Sequence, residues 1–520
     1  MKAHLVGGGL ASLAAAVSLI REAGVLGPNI TIYEAAPRLG GAMALSGSAE
    51  TGYVLPTGRV FEREYRCAFE LFSAIPAASD PTISIRDEIV AFNDRHGWID
   101  RARILDREGR ILRDRRFGLT RRHRLCLLGV MLTPEPRLEG RRIDELFDAD
   151  FFETEFWLLW VSLLNALPQH SALEMRRFLR RFLHILPELS TMATVLRTRT
   201  NQREAVVRPI EDWLLRQGVR VRTGTVVADV EFRQHPETLT ANAIEVVEDG
   251  VERTVEVAPE DLVLVTNGSQ ADGLSTGAMD APARARPTGR SAALWRRLAL
   301  GRPGFGNPEA FFGAAHVPDT RWLTFTVTTR EPLFFERMRD LTGSEPGRGG
   351  LLTLKDSPWL LTIALFHQPE ILGQPEDVML WWGFALYPGR PGDHAGKPAT
   401  ECTGAEVLDE TLRHLGLGAE RERIAGASIC IPCVLPHAGA VWLPRTARDR
   451  PAVVPPGATN FGFIGQFAEL PEEAGFTMEY SVRSARQAVA TLLRLPHGPP
   501  PPYRAHRDPR AVLRALRALL

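Results

Sequence analysis

The chain has 520 residues, a formal net charge of zero, 44% hydrophobic residues and 24% charged residues. This length exceeds what one compact core accommodates, so about two to four lobes are expected. The neutral charge balance excludes a broad nucleic-acid-binding surface. No apolar run reaches the ~18 residues that a membrane-spanning helix needs. The composition is therefore that of an ordinary globular protein without a membrane span.

The N-terminal segment has the pattern of a dinucleotide-binding unit. A short apolar strand ends at Val6, a turn of three glycines follows, and a helix is predicted over 10–21. A second predicted strand, 30–34, ends on an acid that can bind ribose hydroxyls, while the glycines and the helix N-terminus can receive a pyrophosphate. The third glycine position of the fingerprint holds Ser12, so a helix start without a ligand is the alternative. The residues predicted to bind the dinucleotide are Gly7, Gly9, Leu10, Ala11 and Glu34.

The motif Arg38-Leu39-Gly40-Gly41 follows the acid directly. A basic residue and a glycine pair at this place are typical of flavoproteins, in which the loop covers the FAD diphosphate. The acid also disfavours NADP, because it would repel a 2′-phosphate. FAD is therefore the predicted cofactor, with Arg38, Gly40 and Gly41 as further contacts.

The remaining chain alternates between helical and strand-like patterns. A helix is predicted over 61–80, and 151–200 is strongly helical and aromatic. A buried strand in 261–269 is predicted to return the chain to the nucleotide sheet, and 461–465 to add its last strand. Strand-like stretches within 320–445 indicate a separate substrate lobe built on a sheet.

The predicted fold class is α/β, with an FAD-binding Rossmann-like domain, a β-rich substrate lobe and a helical C-terminal part. The predicted divisions are 1–150 for the first part of the FAD-binding domain, 151–215 for a helical substrate-lining segment, 216–310 for the return to the FAD-binding domain, 311–450 for the substrate lobe, 451–495 for the final FAD-binding strand and helix, and 496–520 for the C-terminal amphipathic helix.

The C-terminal segment has the pattern of a basic amphipathic helix. A proline-rich linker precedes Asp508, which can cap a helix that has Pro509 in its first turn. Arg510, Arg514 and Arg517 share one face, and Val512, Leu513, Leu516, Leu519 and Leu520 share the other. A helix over 508–520 with these faces can lie on an anionic membrane, or it can dock on its own protein or on a second copy. No signal peptide precedes the first strand, so a cytoplasmic location is expected.

The cysteines do not suggest a disulfide framework or a metal site. A lone Cys-x-x-Cys has no second pair that would complete a zinc site, so these residues are predicted to be buried strand residues and no metal is expected. The five cysteines are Cys67, Cys126, Cys402, Cys430 and Cys433.

Several motifs, in one order over nearly the whole chain, carry a resemblance to a known family. They are Gly9-Leu10-Ala11-Ser12 with its alanines, Gly58-Arg59, Phe151-Phe152 with Phe156-Trp157, His170-Ser171-Ala172 with Glu174-Met175-Arg176-Arg177, Val265-Thr266-Asn267-Gly268-Ser269, Phe305-Gly306-Asn307-Pro308, Lys397-Pro398 with Thr400-Glu401-Cys402-Thr403-Gly404, Phe463-Ile464-Gly465-Gln466-Phe467-Ala468-Glu469, and Glu479-Tyr480-Ser481-Val482-Arg483. Together these segments resemble the oleate hydratase family, also called myosin-cross-reactive antigens.

The resemblance implies an FAD-containing, homodimeric enzyme that adds water to an isolated cis double bond of an unsaturated fatty acid. It implies no net consumption of the flavin, whose reduced form arranges the site and favours the developing charge. The further FAD contacts that it implies are Gly58, Arg59, Asn267, Gly268, Phe467 and Ala468. The substrate contacts that it implies are Asn201, Gln202, Lys397 and Thr400.

Two catalytic positions of the family are changed in this chain. The acid that follows the family's Gly-Arg pair is replaced by Val60, and the tyrosine proposed to protonate the alkene is replaced by Thr200. Valine cannot transfer a proton, and a threonine hydroxyl is a far weaker acid than a phenol. This chain is therefore interpreted as a divergent member. The candidates for replacement groups are Glu62, Glu64, His96 and Arg203.

Three functional readings follow from these changes. The first is a carbon–oxygen lyase, a hydratase of a lipid alkene that has relocated its acid. The second is a flavin-dependent isomerase or oxidoreductase acting on a specialised lipid or polyketide chain. The third is a lipid- or FAD-binding relative without catalysis. The retained FAD loops favour a protein that still uses its cofactor, but they do not separate the first two readings.

Overall fold

The structure is a computed structural model that describes residues 1–58, 60–113, 117–284, 289–349 and 351–519. Two residues singled out from the sequence, Arg59 and Leu520, lie outside the described residues. No helix in the described part of the chain is both long and apolar enough to cross a membrane.

The strands of the described residues are short, and several of them pair with partners far away in the sequence. They are β1 (Ala3–Val6), β2 (Ile30–Glu34), β3 (Ser46–Ser48), β4 (Gly52–Val54), β5 (Phe61–Glu62), β6 (Ile104–Leu105), β7 (Val195–Leu196), β8 (Arg220–Thr223), β9 (Thr225–Gln234), β10 (Leu239–Glu248), β11 (Val251–Glu256), β12 (Leu262–Thr266), β13 (Ser275–Thr276), β14 (Trp322–Thr329), β15 (Leu352–Leu354), β16 (Leu361–Leu365), β17 (Met379–Ala385), β18 (Ser428–Leu435) and β19 (Phe461–Ile464).

The α-helices lie between and around these strands. They are α1 (Leu10–Arg21), α2 (Arg66–Ser73), α3 (Ile85–His96), α4 (Arg121–Leu132), α5 (Glu155–Leu164), α6 (Ala172–Arg181), α7 (Arg208–Arg216), α8 (Arg290–Ala299), α9 (Glu309–Phe312), α10 (Val317–Thr320), α11 (Leu333–Thr342), α12 (Gly404–His414), α13 (Arg421–Gly426), α14 (Met478–Leu492) and α15 (Pro509–Leu519).

A five-stranded parallel sheet organises the nucleotide-binding part, with the order β19-β12-β1-β2-β8. β1 lies at its centre, with Val6 opposite Tyr33 on one side and opposite Val265 on the other. The alanine- and leucine-rich α1 packs against α14, and it buries ten of its residues. The apolar strands are covered on both faces, as parallel sheets require. The predicted strands, the helix over 10–21 and the Rossmann-like arrangement are confirmed.

A seven-stranded sheet forms the second layer, with the order β13-β18-β14-β17-β16-β15-β6. Its interior strand β14, between β18 and β17, is buried along its whole length. Most of its strands fall within the predicted substrate lobe, and β6 and β13 join it from other parts of the chain. Cys430 and Cys433 lie buried in β18, as predicted from their isolated pairing.

The chain after β4 runs across the face of this seven-stranded sheet and is held there by side-chain hydrogen bonds. Thr326 accepts from the backbone N–H of Leu55 at 2.9 Å, and Thr324 donates to the carbonyl of Pro56 at 2.9 Å. The Trp382 indole donates to the carbonyl of Leu55 at 2.9 Å. These bonds place the residues that follow Pro56 between the two sheets.

The predicted helix over 61–80 is only partly correct. Helix α2 begins at Arg66, and β5 pairs instead with β7, with Phe61 opposite Leu196 and Glu62 opposite Val195. Long-range pairing therefore overrides the helical periodicity at the start of this segment, because local propensity is a weak preference that tertiary contacts override.

Buried ion pairs tie α6 to the C-terminal part of the nucleotide fold. Arg445 and Arg450 both contact the Glu174 carboxylate, at 2.9 and 3.2 Å. Burial alone would raise the pKa of Glu174, but these two guanidinium groups outweigh it and hold the pKa at about 2. Arg181 contacts Glu473 at 3.0 Å. Because losing one partner of such a pair is strongly destabilising, the network fixes the position of α6.

Helix α15 docks on the protein through its small residues. Ala511 and Ala515 are buried, and Arg514 forms a salt bridge with Glu188 at 2.7 Å. Leu513 and Leu516 remain 49% and 46% exposed. The helix predicted after Asp508 is confirmed, and part of its apolar face points away from the protein.

Candidate active site

The turn after β1 forms the floor of a narrow cleft. Gly7 has a φ of +99°, a conformation that favours glycine, and its N–H donates to the carbonyl of Tyr33 at 2.8 Å. A Cβ at Gly8 would lie 2.5 Å from the Leu39 side chain. Gly9 differs, because a Cβ there would meet no atom of the described residues within 4 Å. The third glycine of the turn therefore faces open space at the N-terminus of α1.

Glu34 closes the side of this turn. Its carboxylate accepts from the N–H of Gly8 at 2.5 Å and from the N–H of Ala36 at 2.6 Å. Burial raises the pKa of Glu34, and these donors oppose that shift. The acid is thus fixed at the end of β2, beside the turn, where the sequence pattern predicts an acid that contacts ribose.

The cleft has a volume of about 90 Å³ and brings together residues from four distant parts of the chain. Of the predicted cofactor contacts, it is lined by Gly9, Leu10, Ala11, Gly40, Gly41 and Gly268. Sequence reasoning missed several further lining residues, which include Thr266, Ser269, Gln270, Gly465, Gln466, Met478 and Ser481. Some of these lie within quoted motifs, so motif membership was the signal that could have found them.

Other predicted cofactor residues lie outside the cleft. Arg38 is exposed. Asn267 is fully buried and donates to the carbonyl of Phe467 at 3.1 Å, while its Oδ1 has no hydrogen-bond partner among the described residues. Phe467 packs against Phe312, with ring centroids 4.8 Å apart. Ala468 is also buried. The three buried residues, Asn267, Phe467 and Ala468, therefore lie behind the cleft wall.

The cleft fits a dinucleotide with a pyrophosphate at its centre. Gly9 and Gly41 are both open toward it, because the nearest atom to a Cβ at Gly41 would be the Gly9 Cα at 3.5 Å. The N-terminal N–H groups of α1 and its dipole favour negative charge at this point. The donor set and the missing side chains therefore match the phosphate cradle of this cofactor class.

Substitution Gly9→Val is expected to weaken dinucleotide binding without unfolding the protein. Gly9 has an ordinary extended backbone, and the added side chain would project only into the cleft. Overpacking of this kind costs about 1–3 kcal/mol, so the affinity for FAD should fall about 10- to 100-fold. Titration with FAD, together with the melting temperature of the cofactor-free protein, measures both effects. Gly304→Val, at an exposed position with open space, is the control.

A second, larger cavity of about 170 Å³ adjoins the cleft. Met478, at the start of α14, lines both spaces. The walls are mainly apolar and aromatic, and they include Phe178, Phe182, Trp322, Trp382 and Phe384. The apolar lining suits the hydrocarbon chain of a ligand, and part of that ligand can reach the cleft.

Val60 and Thr200 occupy different surroundings. Val60 lines the cavity and packs on the cluster of Met192, Val195 and Leu351. Thr200 is buried, at 6% exposure, but does not line the cavity. Of the two positions predicted to be altered from the family pattern, the structure thus brings Val60 to the cavity and leaves Thr200 outside its lining.

Glu62 is one of the candidate replacement groups that the structure brings to the cavity. His184 Nε2 donates to its Oε1 at 2.9 Å, and the Arg181 guanidinium lies 3.8 Å from its Oε2. Glu62 is buried, and the same Arg181 is held by Glu473. The result is a carboxylate on the cavity wall, backed by an imidazole and a guanidinium.

The other candidates lie elsewhere. Glu64 is partly exposed and pairs with Arg66 at 3.2 Å. His96 stacks near His367, with ring centroids 5.0 Å apart, but does not itself line the cavity. Arg203 pairs with Glu211 at 2.6 Å, near the Gly40 turn.

The predicted substrate contacts divide into two groups. Gln202 lines the cavity, and the adjacent Asn201 is bonded through its N–H and its amide to the carbonyl of Glu370. Lys397 instead forms a surface salt bridge with Glu406 at 2.9 Å. Thr400 lies in the same segment and does not line the cavity. The structure therefore brings only the first pair to the cavity region.

Arg197 is a buried cation on the cavity wall that sequence reasoning missed. Its Nε and Nη1 have no hydrogen-bond partner among the described residues. Its guanidinium stacks on Trp98, 4.5 Å from the ring centroid. Burial lowers the pKa of Arg197 to about 10, so it remains charged at neutral pH. Asn93 fixes the backbone on both sides, since its amide donates to the Arg197 carbonyl and its oxygen accepts from the Arg197 N–H.

Three more titratable groups line the cavity and were also missed. They are Tyr65, His367 and Glu370. Burial raises the pKa of Tyr65. Burial, followed by the charge of His96, lowers the pKa of His367 to about 4. None of the three belongs to a local motif, so only their spatial grouping identifies them.

The parallel sheet, the glycine-lined cleft and the adjoining apolar cavity define a Rossmann-type dinucleotide-binding protein with a second site for a long apolar ligand. The model of the MCRA family matches residues 1–490, and the chain belongs to this family. The resemblance recognised from the motifs is thereby confirmed.

Two relatives are similar over almost the whole chain. The oleate hydratase of Streptococcus pyogenes serotype M49 (strain NZ131) is 32% identical over 525 residues, covering 99% of this chain and 88% of the relative. The linoleate hydratase of Lactiplantibacillus plantarum is 30% identical over 562 residues, covering 100% of this chain and 98% of the relative.

Solved structures with this fold are more distant in sequence. Wild-type putrescine oxidase bound to putrescine has a TM-score of 0.55 at 13% identity, covering 95% of this chain and 99% of that one. Cyclohexylamine oxidase from Brevibacterium oxydans IH-35A has a TM-score of 0.53 at 15% identity, covering 95% and 98%. At these identities the likeness establishes the fold alone.

Proposed function

We propose that this protein is an FAD-dependent hydratase that adds water to a carbon–carbon double bond of an unsaturated fatty acid. The observation that carries the proposal is the apolar cavity that meets the dinucleotide cleft at Met478, in a member of the MCRA family. The two similar relatives are named for hydration of oleate and linoleate. Addition of water to an alkene makes the reaction that of a carbon–oxygen lyase.

Arg197 supports an acid as the substrate. Two nitrogens of the buried Arg197 guanidinium have no hydrogen-bond partner among the described residues. Burying such a cation costs free energy unless an anion binds to it. A fatty acid supplies a carboxylate for this cation and a chain for the aromatic walls. Gln202 lies on the same wall, and Asn201 buttresses it.

The FAD site extends from the Gly9 turn to the start of α14. Gly9 and Gly41 leave room for the diphosphate, Glu34 stands where the ribose is expected, and Met478 marks the boundary with the cavity. When bound, FAD supplies an electron-rich ring in its reduced state, which favours positive charge developing on the alkene. The proton transfers to the double bond and from the attacking water are carried out by side chains of this protein.

We assign water activation to Glu62. It lies on the cavity wall two residues after Val60, and its bond with His184 orients the carboxylate. The attacking water donates its proton to a carboxylate oxygen of Glu62, and solvent later removes that proton. In this proposal the chain is a divergent member in which the carboxylate lies two residues further along the chain, in β5.

We further propose peripheral association through α15. Leu513 and Leu516 are exposed on a helix that also carries Arg510 and Arg517. Such a face suits an anionic lipid surface from which a fatty acid is taken up. A homodimer mate is the alternative occupant. Vesicle co-sedimentation and light scattering of the full chain, with Leu513→Ser as the variant, distinguish the two.

The proposed activity is tested by anaerobic incubation of the purified protein with FAD, a reductant, and oleate or linoleate, followed by mass spectrometry. The expected product is heavier by one water, and in D₂O it carries one carbon-bound deuterium. A product of unchanged mass would identify an isomerase, and loss of two hydrogens an oxidoreductase. If FAD and fatty acid bind but no product forms with any acid, the protein is a binding relative and the proposal fails.

A further inference from the structure

Hydration of an isolated alkene requires a proton donor as well as a base. The carbon that does not receive the hydroxyl must receive a proton, and an alkene is a very weak base, so the acid must be positioned against it. Thr200 does not line the cavity. If Glu62 accepts the proton of water, the donor must be another group on the wall.

Two of the remaining cavity groups are poor donors. His367 has a pKa lowered to about 4, chiefly by burial, so its imidazole is neutral at pH 7 and its N–H is only weakly acidic. Tyr65 has a phenol pKa that burial raises further above its ordinary value. A carboxylic acid is a stronger donor than either, provided that it is protonated at working pH.

Glu370 is placed to be such an acid. Its backbone is anchored, because its carbonyl accepts from Asn201 and its N–H donates to the side chain of Gln374 at 2.9 Å. Glu370 is 6% exposed and lines the cavity, while no salt bridge joins it to Arg197 in the described part of the chain. Its side chain is thus held against the cavity without a paired cation.

The surroundings of Glu370 favour the neutral form. Burial and then the Glu204 carboxylate raise the pKa of Glu370 well above its ordinary value, and Arg197 opposes them. Such a site therefore favours the protonated form of the carboxyl group, as apolar pockets do for other catalytic acids. His367 also lines this cavity but is uncharged.

We propose that Glu370 is the catalytic acid of this protein, protonating the alkene from the cavity wall beside Asn201. The inference rests on the proposed hydratase function and names the proton donor for it. In the hydration step, the π electrons of the alkene take the proton of the Glu370 carboxyl group and form a C–H bond. The water oxygen forms a C–O bond with the other carbon, and the proton it loses goes to Glu62. Solvent then returns one proton to Glu370 and removes one from Glu62.

Substrate binding would reinforce the protonation of Glu370. The charge of Arg197 is the influence that lowers the pKa of Glu370. A substrate carboxylate paired with Arg197 neutralises that charge, so the Glu370 pKa rises when the fatty acid is bound. The acid is therefore most fully protonated in the complex that needs it.

The decisive variant is Glu370→Gln, which keeps size and polarity but has no acidic proton. We expect kcat for hydration to fall about 10²–10⁴-fold, with KM, FAD affinity and melting temperature nearly unchanged. Glu376→Gln, six residues further and exposed, is the control and should retain activity. If Tyr65→Phe loses the activity and Glu370→Gln keeps it, the phenol is the donor and the proposal is overturned.

The pH dependence of kcat gives a second readout. Activity should fall as the pH rises through the pKa of Glu370. In Glu204→Gln, loss of the neighbouring negative charge should lower that pKa and move the fall to lower pH. An unchanged profile in Glu204→Gln would contradict the role of Glu370 as the titrating acid.

An infrared measurement separates this inference from the proposed function. The wild-type protein should show the C=O band of a protonated carboxyl group at pH 7, and Glu370→Gln should lack it. If the wild type hydrates no fatty acid but shows this band, the proposed function fails while the state of Glu370 stands. If the wild type hydrates oleate and Glu370→Gln removes neither the band nor the activity, the inference fails alone.

Discussion

Glu62→Gln is expected to reduce the rate of hydration about 10²–10⁴-fold, the usual contribution of a general base. The amide keeps the shape of the side chain and can still bond to His184, but it cannot accept a proton from water. The loss should appear in kcat, because the cavity walls that bind the chain are unchanged. Steady-state kinetics with oleate under reducing conditions measure it.

The matched control for Glu62→Gln is Glu64→Gln. Glu64 lies two residues further along, is partly exposed and pairs with Arg66 outside the cavity, so its neutralisation should leave the rate unchanged. FAD titration and thermal melting of both variants separate a catalytic loss from a damaged Arg181 network. A rate in Glu62→Gln within a factor of a few of the wild type would remove Glu62 from the mechanism.

Arg197→Met is expected to weaken fatty-acid binding while stabilising the substrate-free protein. Truncating one partner of a buried charge pair costs about 2–5 kcal/mol, so the dissociation constant for oleate should rise from about 30-fold to several thousand-fold. Without substrate, the same change removes a buried charge that lacks full hydrogen bonding, and the melting temperature should stay equal or rise. Methionine can still pack on Trp98.

Binding measurements with oleate and with methyl oleate test whether Arg197 recognises the carboxylate of the substrate. Methyl oleate has no carboxylate, so its affinity should be nearly the same for the wild type and for Arg197→Met. Arg199→Met, two residues away at an exposed position, should bind oleate like the wild type. An equal loss for acid and ester would show that Arg197 shapes the cavity and does not recognise the carboxylate.

The nucleotide-binding half was largely predictable because its signals are local. A strand, a glycine turn, a helix and a second strand ending in an acid follow one another within 34 residues, and the structure has each of them at the predicted place. The open position at Gly9 follows from the same short pattern. The helix after Asp508 was equally predictable from its cap and its two faces.

The start of the predicted helix over 61–80 shows where local patterns stop being informative. Apolar spacing suggested a helix from Phe61, but Phe61 and Glu62 form a strand because Val195 and Leu196 lie beside them. That pairing joins residues more than 130 positions apart. It also decides that Glu62 lies on the wall of the cavity, whereas the sequence named Glu62 only as one of four candidates.

The sequence by itself determined the family and the dinucleotide-binding pattern, and it predicts the replacement of two family side chains by Val60 and Thr200. Only the tertiary structure placed Glu62, Arg197 and Glu370 around one apolar cavity and kept Glu64 and Lys397 outside it. The physical reason is that charge and acidity at a site depend on burial and on neighbours from distant segments. Whether a carboxyl group acts as an acid or as a base therefore depends on the residues that surround it in the folded protein.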